Sequence, residues 1–182
     1  MKLLIEEYQR LASQQHDFTD HMPTIRKFAS LCESVTEFGV RHGASTRALL
    51  VENVKLRSYD IEIDPEVTEL FEHAKSIGKD VEYIKANDLL IEIEQTDMLF
   101  IDTDHTYEQL SSELKLHANK ANKFIAFHDT DWPCGDKLLP AILEFLVDNP
   151  QWRVCYHTRK CHGFTVLERI NASVSINGTK IN

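Results

Sequence analysis

Two stretches of this sequence put carboxylates and imidazoles directly behind apolar runs. In "FIDTDHTYEQL" (residues 100–110), Asp102, Asp104 and His105 follow Phe100 and Ile101; in "FIAFHDTDW" (residues 124–132), His128, Asp129 and Asp131 follow a second apolar run. Carboxylates at the ends of buried strands are costly to desolvate unless they bind a cation, pair with a base or stay in water. Either of two side chains suits a general base. Histidine ordinarily titrates near neutrality, so His105 could accept a hydroxyl proton, and Asp104 lies two residues past Asp102, on the same side if the strand runs that far. The structural alternative is a helix start, with Asp104 or Thr106 capping "YEQLSSEL" and His105 at the surface.

The elements that must hold these clusters follow from periodicity. "LLIEEYQRLA" and "MPTIRKFASLC" have helical spacing, with Pro23 suited to a first turn. "SVTEFG" (34–39) reads as a strand ending at Gly39, and "VRHGASTRALLVEN" as a turn and a helix. "VKLRSYDIEID" (54–64) alternates as a strand up to Asp64–Pro65, which puts Asp60, Glu62 and Asp64 on one side, and "PEVTELFEHAKSIG" is a helix with Gly78 at its end. "VEYIKAND", "DMLFID" and "KFIAFHD" are further strands, with the helix "YEQLSSELKLHANK" between the last two; "KLLPAILEFLVDN" is a helix, and "WRVCYHT" and "GFTVLER" are two closing strands. Strands alternating with helices predict a doubly wound α/β fold with a mostly parallel seven-stranded sheet; the last two strands, lacking a helix between them, predict an antiparallel hairpin at one edge. Ligands in such folds sit beyond the carboxyl ends of the strands, where both acidic clusters lie.

A second site precedes them in the chain. "EFGVRHGAST" (37–46) places Gly39 and Gly43 in a strand-to-helix turn, where glycine lets backbone approach a ligand and a helix amino terminus offers free N–H groups; Ser45 and Thr46 can cap or donate. The third glycine of the dinucleotide fingerprint is missing, so the loop alone is a weak signal, and a tight structural turn explains it as well. Asp60 follows Gly43 by 17 residues, near the roughly 20-residue offset at which an acid meets ribose hydroxyls, and a solvated acidic edge is the plain alternative. After the third strand, Asn87 and Asp88 stand where an adenine could be hydrogen-bonded.

Together "VTEFGVRHGASTRALL", "SYDIEIDPE", "KANDLL", "DMLFIDTDHTYEQL" and "FIAFHDT" resemble, in order and spacing, the small class I S-adenosylmethionine-dependent methyltransferases, over roughly residues 30–169. The branch they look most like is that of the metal-dependent O-methyltransferases of sugars and small molecules, with I-D-x-D-H-x-Y and H-D-T motifs. The resemblance implies S-adenosylmethionine as cofactor and a small hydroxyl acceptor, a sugar among the candidates. It implies that Glu37, Gly39, Gly43 and Ser45 line the methionine and ribose end, that Asp60 or its rival Glu62 holds the ribose, and that Asp88 with Asn87 contacts adenine. Asp102 is implied on both sides, beside the cofactor and as ligand of a divalent cation, Mg²⁺ or Mn²⁺, with Asp129 and either His128 or Thr130. A histidine ligand would soften that set towards Mn²⁺, Fe²⁺ or Zn²⁺. Arg41 and His42 depart from the pattern, standing where relatives often have small residues. Trp132 would wall the acceptor pocket or anchor its loop.

Composition narrows the class. With 20 basic against 29 acidic residues and no Lys/Arg block, the chain carries a formal charge of −9, which disfavours nucleic acid and anionic membrane as partners. "MKLLIEEYQRLASQQ" has no signal-peptide pattern, and no run reaches the roughly 18 apolar residues of a membrane span. The four cysteines form no C-x-x-C pair, which predicts reduced thiols, a cytoplasmic location and no use for the Asn171 and Asn177 sequons. His157, Cys161 and His162 lack the second pair that a zinc site of that kind needs. The expectation is one methyltransferase-like domain over 1–182, with a helical segment at 1–30, a core at 31–169 and a tail at 170–182, and with homo-oligomerisation open. The rival readings are a non-catalytic nucleoside-binding domain, a nicotinamide-dependent oxidoreductase, which should show the fuller glycine motif, and a metal-dependent hydrolase.

Overall fold

β-Branched and aromatic side chains at Val35, Thr36 and Phe38 favour an extended chain, and Gly39 ends it, giving β1 (Ser34–Phe38). The structure, a computed structural model, describes residues 1–131 and 133–170; Trp132, the two sequons and the tail beyond 170 lie outside the described residues. The elements around β1 are α1 (Lys2–Ala12), α2 (Met22–Ala29), α3 (Ala44–Leu50), β2 (Lys55–Asp60), α4 (Pro65–Ser76) and β3 (Val81–Lys85). Then follow β4 (Thr96–Ile101), α5 (Tyr107–His117), β5 (Ala121–His128), α6 (Gly135–Asp148), β6 (Trp152–Thr158) and β7 (Phe164–Arg169).

The seven strands form one sheet in the order β3-β2-β1-β4-β5-β7-β6. Pairings among β1 to β5 are parallel, whereas β7 runs antiparallel to both β5 and β6. The expected antiparallel hairpin is present, with β7 inserted against β5 and β6 left at the edge. Central strands of such a sheet are covered on both faces and so read as continuous apolar runs. β4 shows this: Met98 and Phe100 join a core with Leu4, Met22, Leu49 and Phe71 from α1 to α4, while Leu99 and Ile101 join a second core with Leu110, Leu114 and Ile142 from α5 and α6. The chain winds outward from β1 to β3 and then restarts at β4, so the switch point lies between the carboxyl ends of β1 and β4.

Two boundaries differ from the expectation. β2 stops at Asp60, so Glu62 and Asp64 do not share a strand face with it. The cause is local: Asp60 Oδ1 accepts the Glu62 amide at 2.9 Å, an Asx turn that breaks the extended chain. Asp64 instead caps α4, accepting from the amides of Glu66 (2.8 Å) and Val67 (3.2 Å) ahead of Pro65. β4 likewise stops at Ile101, which puts Asp102 to Thr106 in a loop rather than on a strand face. Thr106 is the cap of α5, its hydroxyl accepting from Gln109 N at 3.3 Å, so the capping role falls to it and not to Asp104. No helix among the described residues is long and apolar enough to cross a membrane.

Candidate active site at the switch point

Gly39 has φ +81°, and a Cβ there would stand 1.9 Å from the carbonyl oxygen of Asp102. Only glycine lets the ends of β1 and β4 meet this closely. The loop that follows is pinned from β2: Asp60 Oδ2 accepts the amides of Val40 (2.7 Å) and Arg41 (2.8 Å). Arg41 holds φ +48°, a conformation that costs a non-glycine residue, and Gly43 starts α3 with φ +71°. Arg47, nearly buried, braces the loop by donating to the carbonyls of His42 (2.6 Å) and Gly43 (3.0 Å).

Beneath this loop Glu37 has no exposed surface. Its carboxyl receives the hydroxyls of Ser45 (2.6 Å), Thr46 (3.0 Å) and Ser58 (2.5 Å), a cage drawn from α3 and β2. Burial pushes the acid up to about 7 against the pull of those three donors, and the Asp102 charge adds to the rise. Glu37 therefore supports the loop from below; it lines neither of the cavities described next.

A cavity of about 570 Å³ opens at the switch point, bounded by Gly39, Asp60, Glu62, Asn87, Asp88 and Asp102, with Asp104 at its edge. That volume lies within the roughly 300–1,000 Å³ range of small-molecule sites. Asn87 Oδ1 caps the short turn after β3 at Leu89 N (2.9 Å), and Asp88 is buried with Oδ2 accepting from Gln109 Nε2 at 3.1 Å. A second cavity of about 280 Å³ adjoins it through Asp102, Arg41 and His42, and is walled by Asp17, Phe18, Ser45, His105 and Asp129.

Between the two, the ends of β4 and β5 converge. His105 Nε2 stands 2.9 Å from Asp129 and 3.5 Å from Asp102, and His128 Nδ1 stands 3.0 Å and 3.5 Å from the same two carboxylates. His162, from the β6–β7 turn, reaches the other oxygen of Asp129 at 3.3 Å. Asp129 itself adopts φ +55°, strain of the kind that gathers at functional sites. Hydrogen bonds to Asp102 and then Asp129 raise His105 to about 10. Burial would lower His128, but the same two carboxylates outweigh it and bring it to about 10. Burial opposes ionisation of Asp102 and Asp129, and the two imidazoles nonetheless hold both below the ordinary carboxylate range.

Ligand atoms of Asp102, His128 and Asp129 all lie within 4.8 Å of one another, and among the described residues this is the one group of three or more His, Cys, Asp and Glu side chains spaced to hold a cation. The donor set fits one. His128 Nε2 faces the Asp17 carbonyl at 3.3 Å, so its proton belongs there, and Nδ1 then meets two carboxylates with either a second proton or a metal ion between them. Phe18 stacks on the same ring at 4.0 Å and seals it. Thr130 turns away, its hydroxyl 2.7 Å from that of Thr165, so of the two alternatives for the third ligand only His128 stands by the carboxylates. His157 also bonds Thr165 (2.9 Å), apart from Cys161 beside Asp20, and those residues assemble no second centre.

The family model described as "Methyltransferase domain" matches residues 36–130, more than half of the 182-residue chain and the whole stretch from the glycine loop to the β5 cluster. The chain belongs to this methyltransferase family. Nothing among the curated proteins matches it. Solved structures share the fold of this methyltransferase domain at low identity. The N-methyltransferase NodS of Bradyrhizobium japonicum WM9, in complex with S-adenosyl-L-homocysteine, is 12% identical with a TM-score of 0.63, over 91% of this chain and 98% of that one. Cofactor-bound Rv0187 from MTB is 15% identical with a TM-score of 0.64, over 92% and 90%. An O-methyltransferase family protein of Burkholderia thailandensis is 13% identical with a TM-score of 0.61, over 84% of this chain and 55% of that one.

Sequence reasoning missed several members of the site of this methyltransferase domain. Ser58 reads as an ordinary strand residue, Asp17 and Phe18 lie in a connection without a motif, and His162 approaches Asp129 only through the β6–β7 turn. Their one signal is polarity or aromaticity within a strand or a loop. Asp104 is exposed and faces the larger cavity, whereas His105 faces the carboxylates.

Proposed function

We propose that this methyltransferase domain transfers the methyl group of S-adenosylmethionine to a hydroxyl of a small molecule, a sugar among the candidates, with a divalent cation held by Asp102, His128 and Asp129. The observation that carries the reading is Asp102: it belongs at once to the wall of the nucleoside-sized cavity and to the carboxylate–imidazole cluster, so donor and acceptor would meet at one residue. The larger cavity suits the nucleoside, with the Asp60 and Glu62 end towards ribose, Asp88 and Asn87 towards adenine, and Gly39 beside the sulfonium arm. Ser45 and the α3 amino terminus face the smaller chamber, which suits the acceptor.

The cofactor supplies a methyl carbon already activated by sulfonium, and the cation would supply Lewis acidity and a template for the acceptor oxygen. The protein's own residues align and deprotonate. Phe18 and Asp17 wall the acceptor chamber against water, and the Gly39–Asp102 contact fixes the distance between the two cavities. His105 is the base that the geometry favours over Asp104: with Asp102 and Asp129 engaged as ligands, its imidazole would be without the partners that keep it protonated and could accept the hydroxyl proton.

The test is methyl transfer from S-adenosylmethionine carrying a radiolabelled methyl group to a panel of small polyols, sugars, phenols and amines, with excess chelator and with Mg²⁺ or Mn²⁺ restored. Label in an ether product that chelator abolishes and metal restores supports the proposal. Full transfer in chelator removes the cation from it, and label found only on amines overturns the hydroxyl acceptor.

A further inference from the structure

The wall of the larger cavity rests on a buried acid that takes no part in the chemistry above. Glu113, on α5, has no exposed surface. Its Oε1 accepts the Thr103 hydroxyl at 2.5 Å and the Gln109 amide at 2.9 Å, while Oε2 is buried with no donor to satisfy it. The same Gln109 amide gives its other hydrogen to Asp88 Oδ2 at 3.1 Å, and His117, about two turns further along α5, meets the Asp88 carbonyl at 2.8 Å. Helix α5 thus grips Asp88 by both its side chain and its backbone, and Asp88 lines the cavity.

A carboxylate that shares one amide donor with another is disfavoured in its charged form by the like charge and by burial. Burial, and next the hydrogen bond to Asp88, push Glu113 up to about 9, so it carries a proton at neutral pH. Oε1 already accepts two hydrogen bonds, so the orphaned Oε2 is the atom left to bear it.

We propose that Glu113 is a positioning residue for base recognition: protonated, it donates to Asp88 and, with Gln109, holds that side chain turned to the cavity, as the acceptor for the exocyclic amino group of a purine. This rests on reading the cavity as the nucleoside site. Because Glu113 also anchors Thr103, next to Asp102, the base pocket and the cation-bearing loop share one support.

Calorimetry with S-adenosylhomocysteine and its 6-oxo analogue, S-inosylhomocysteine, tests it on the wild type, Glu113→Gln and Glu113→Leu. The wild type should prefer the amino compound. Glu113→Leu, which fills the space but donates nothing, should weaken its binding by roughly ten- to a hundredfold and narrow the preference. Glu113→Gln, a neutral donor of the same shape, should restore affinity to within roughly threefold of wild type and keep the preference. A folded Glu113→Leu with wild-type affinity and preference overturns the proposal, as does Glu113→Gln behaving like Glu113→Leu. Should Glu113→Leu not fold, the infrared difference spectrum of wild type against Glu113→Gln at pH 8 decides. A protonated carboxylic-acid carbonyl band present only in the wild type supports the proposal, and its absence overturns it. A wild type that binds neither compound overturns the nucleoside reading itself, a result separate from any difference among the variants.

Discussion

Glu37→Gln should change the way stability depends on pH more than stability itself. The side chain has no exposed surface, three hydroxyls point at it, and burial lifts the acid from the ordinary 4.5 to about 7. A group whose folded value is raised contributes stability that is complete below the unfolded value and is lost as pH rises through the folded one. At about 1.4 kcal/mol for each pH unit, the gap from 4.5 to about 7 corresponds to about 3 kcal/mol. Wild type should therefore lose about 3 kcal/mol between pH 4.5 and 8 that Glu37→Gln, which has no proton to lose, retains. Urea unfolding of both proteins at pH 5 and pH 8 reads the effect as a difference of differences, in which all other titrating groups cancel. The variant should be close to wild type at pH 5 and gain on it at pH 8. A stability difference that stays constant across this range would refute the reasoning, since Glu37 would then be ionised in the fold at both values.

Other outcomes follow from the same geometry. Gly39→Ala would drive a Cβ to 1.9 Å from the Asp102 carbonyl in a left-handed backbone, so it should lower thermal stability and S-adenosylhomocysteine affinity together; a variant with a wild-type melting curve would contradict the close approach. Because carboxylate pairing keeps His105 and His128 protonated up to about 10, binding of Mn²⁺ at pH 8 should release protons, and affinity should rise with pH; a pH-stat trace without proton release would argue against metal at these residues. Asp102→Asn should lose metal affinity and turnover together. His105→Gln should keep both ligands and slow single-turnover methyl transfer by ~10²–10⁴-fold, whereas Asp104→Asn should act weakly; the reverse order in rapid-quench assays would hand the base role to Asp104.

What the sequence made legible were the features encoded within one element. Period-2 runs ending at glycine and helices of period 3.6 are local, and so the alternation of strands with helices, the glycine turn and the acidic ends of β4 and β5 could be read directly. The strand end at Asp60 could not, because the pattern "YDIEID" continues to alternate while an Asx turn made by Asp60 itself breaks the strand. Other features exist only between elements. The cage around Glu37 needs Ser45, Thr46 and Ser58 brought together from α3 and β2, and the approach of His162 to Asp129 needs the β6–β7 turn. Glu113 sits in "SSELKLH" like any surface acid, and its partner Thr103 and its neighbour through Gln109, Asp88, belong to other segments.

Which nucleoside the switch-point cavity takes separates a methyl-donor site from a nicotinamide site. Calorimetric titration of the purified protein with S-adenosylmethionine, S-adenosylhomocysteine and NAD, repeated on Asp60→Ala, measures it. Both adenosyl compounds should bind, NAD should bind far more weakly, and affinity should fall on replacing Asp60, whose carboxylate both faces the cavity and pins the glycine loop. Tighter binding of NAD than of either adenosyl compound would contradict a methyl-donor site.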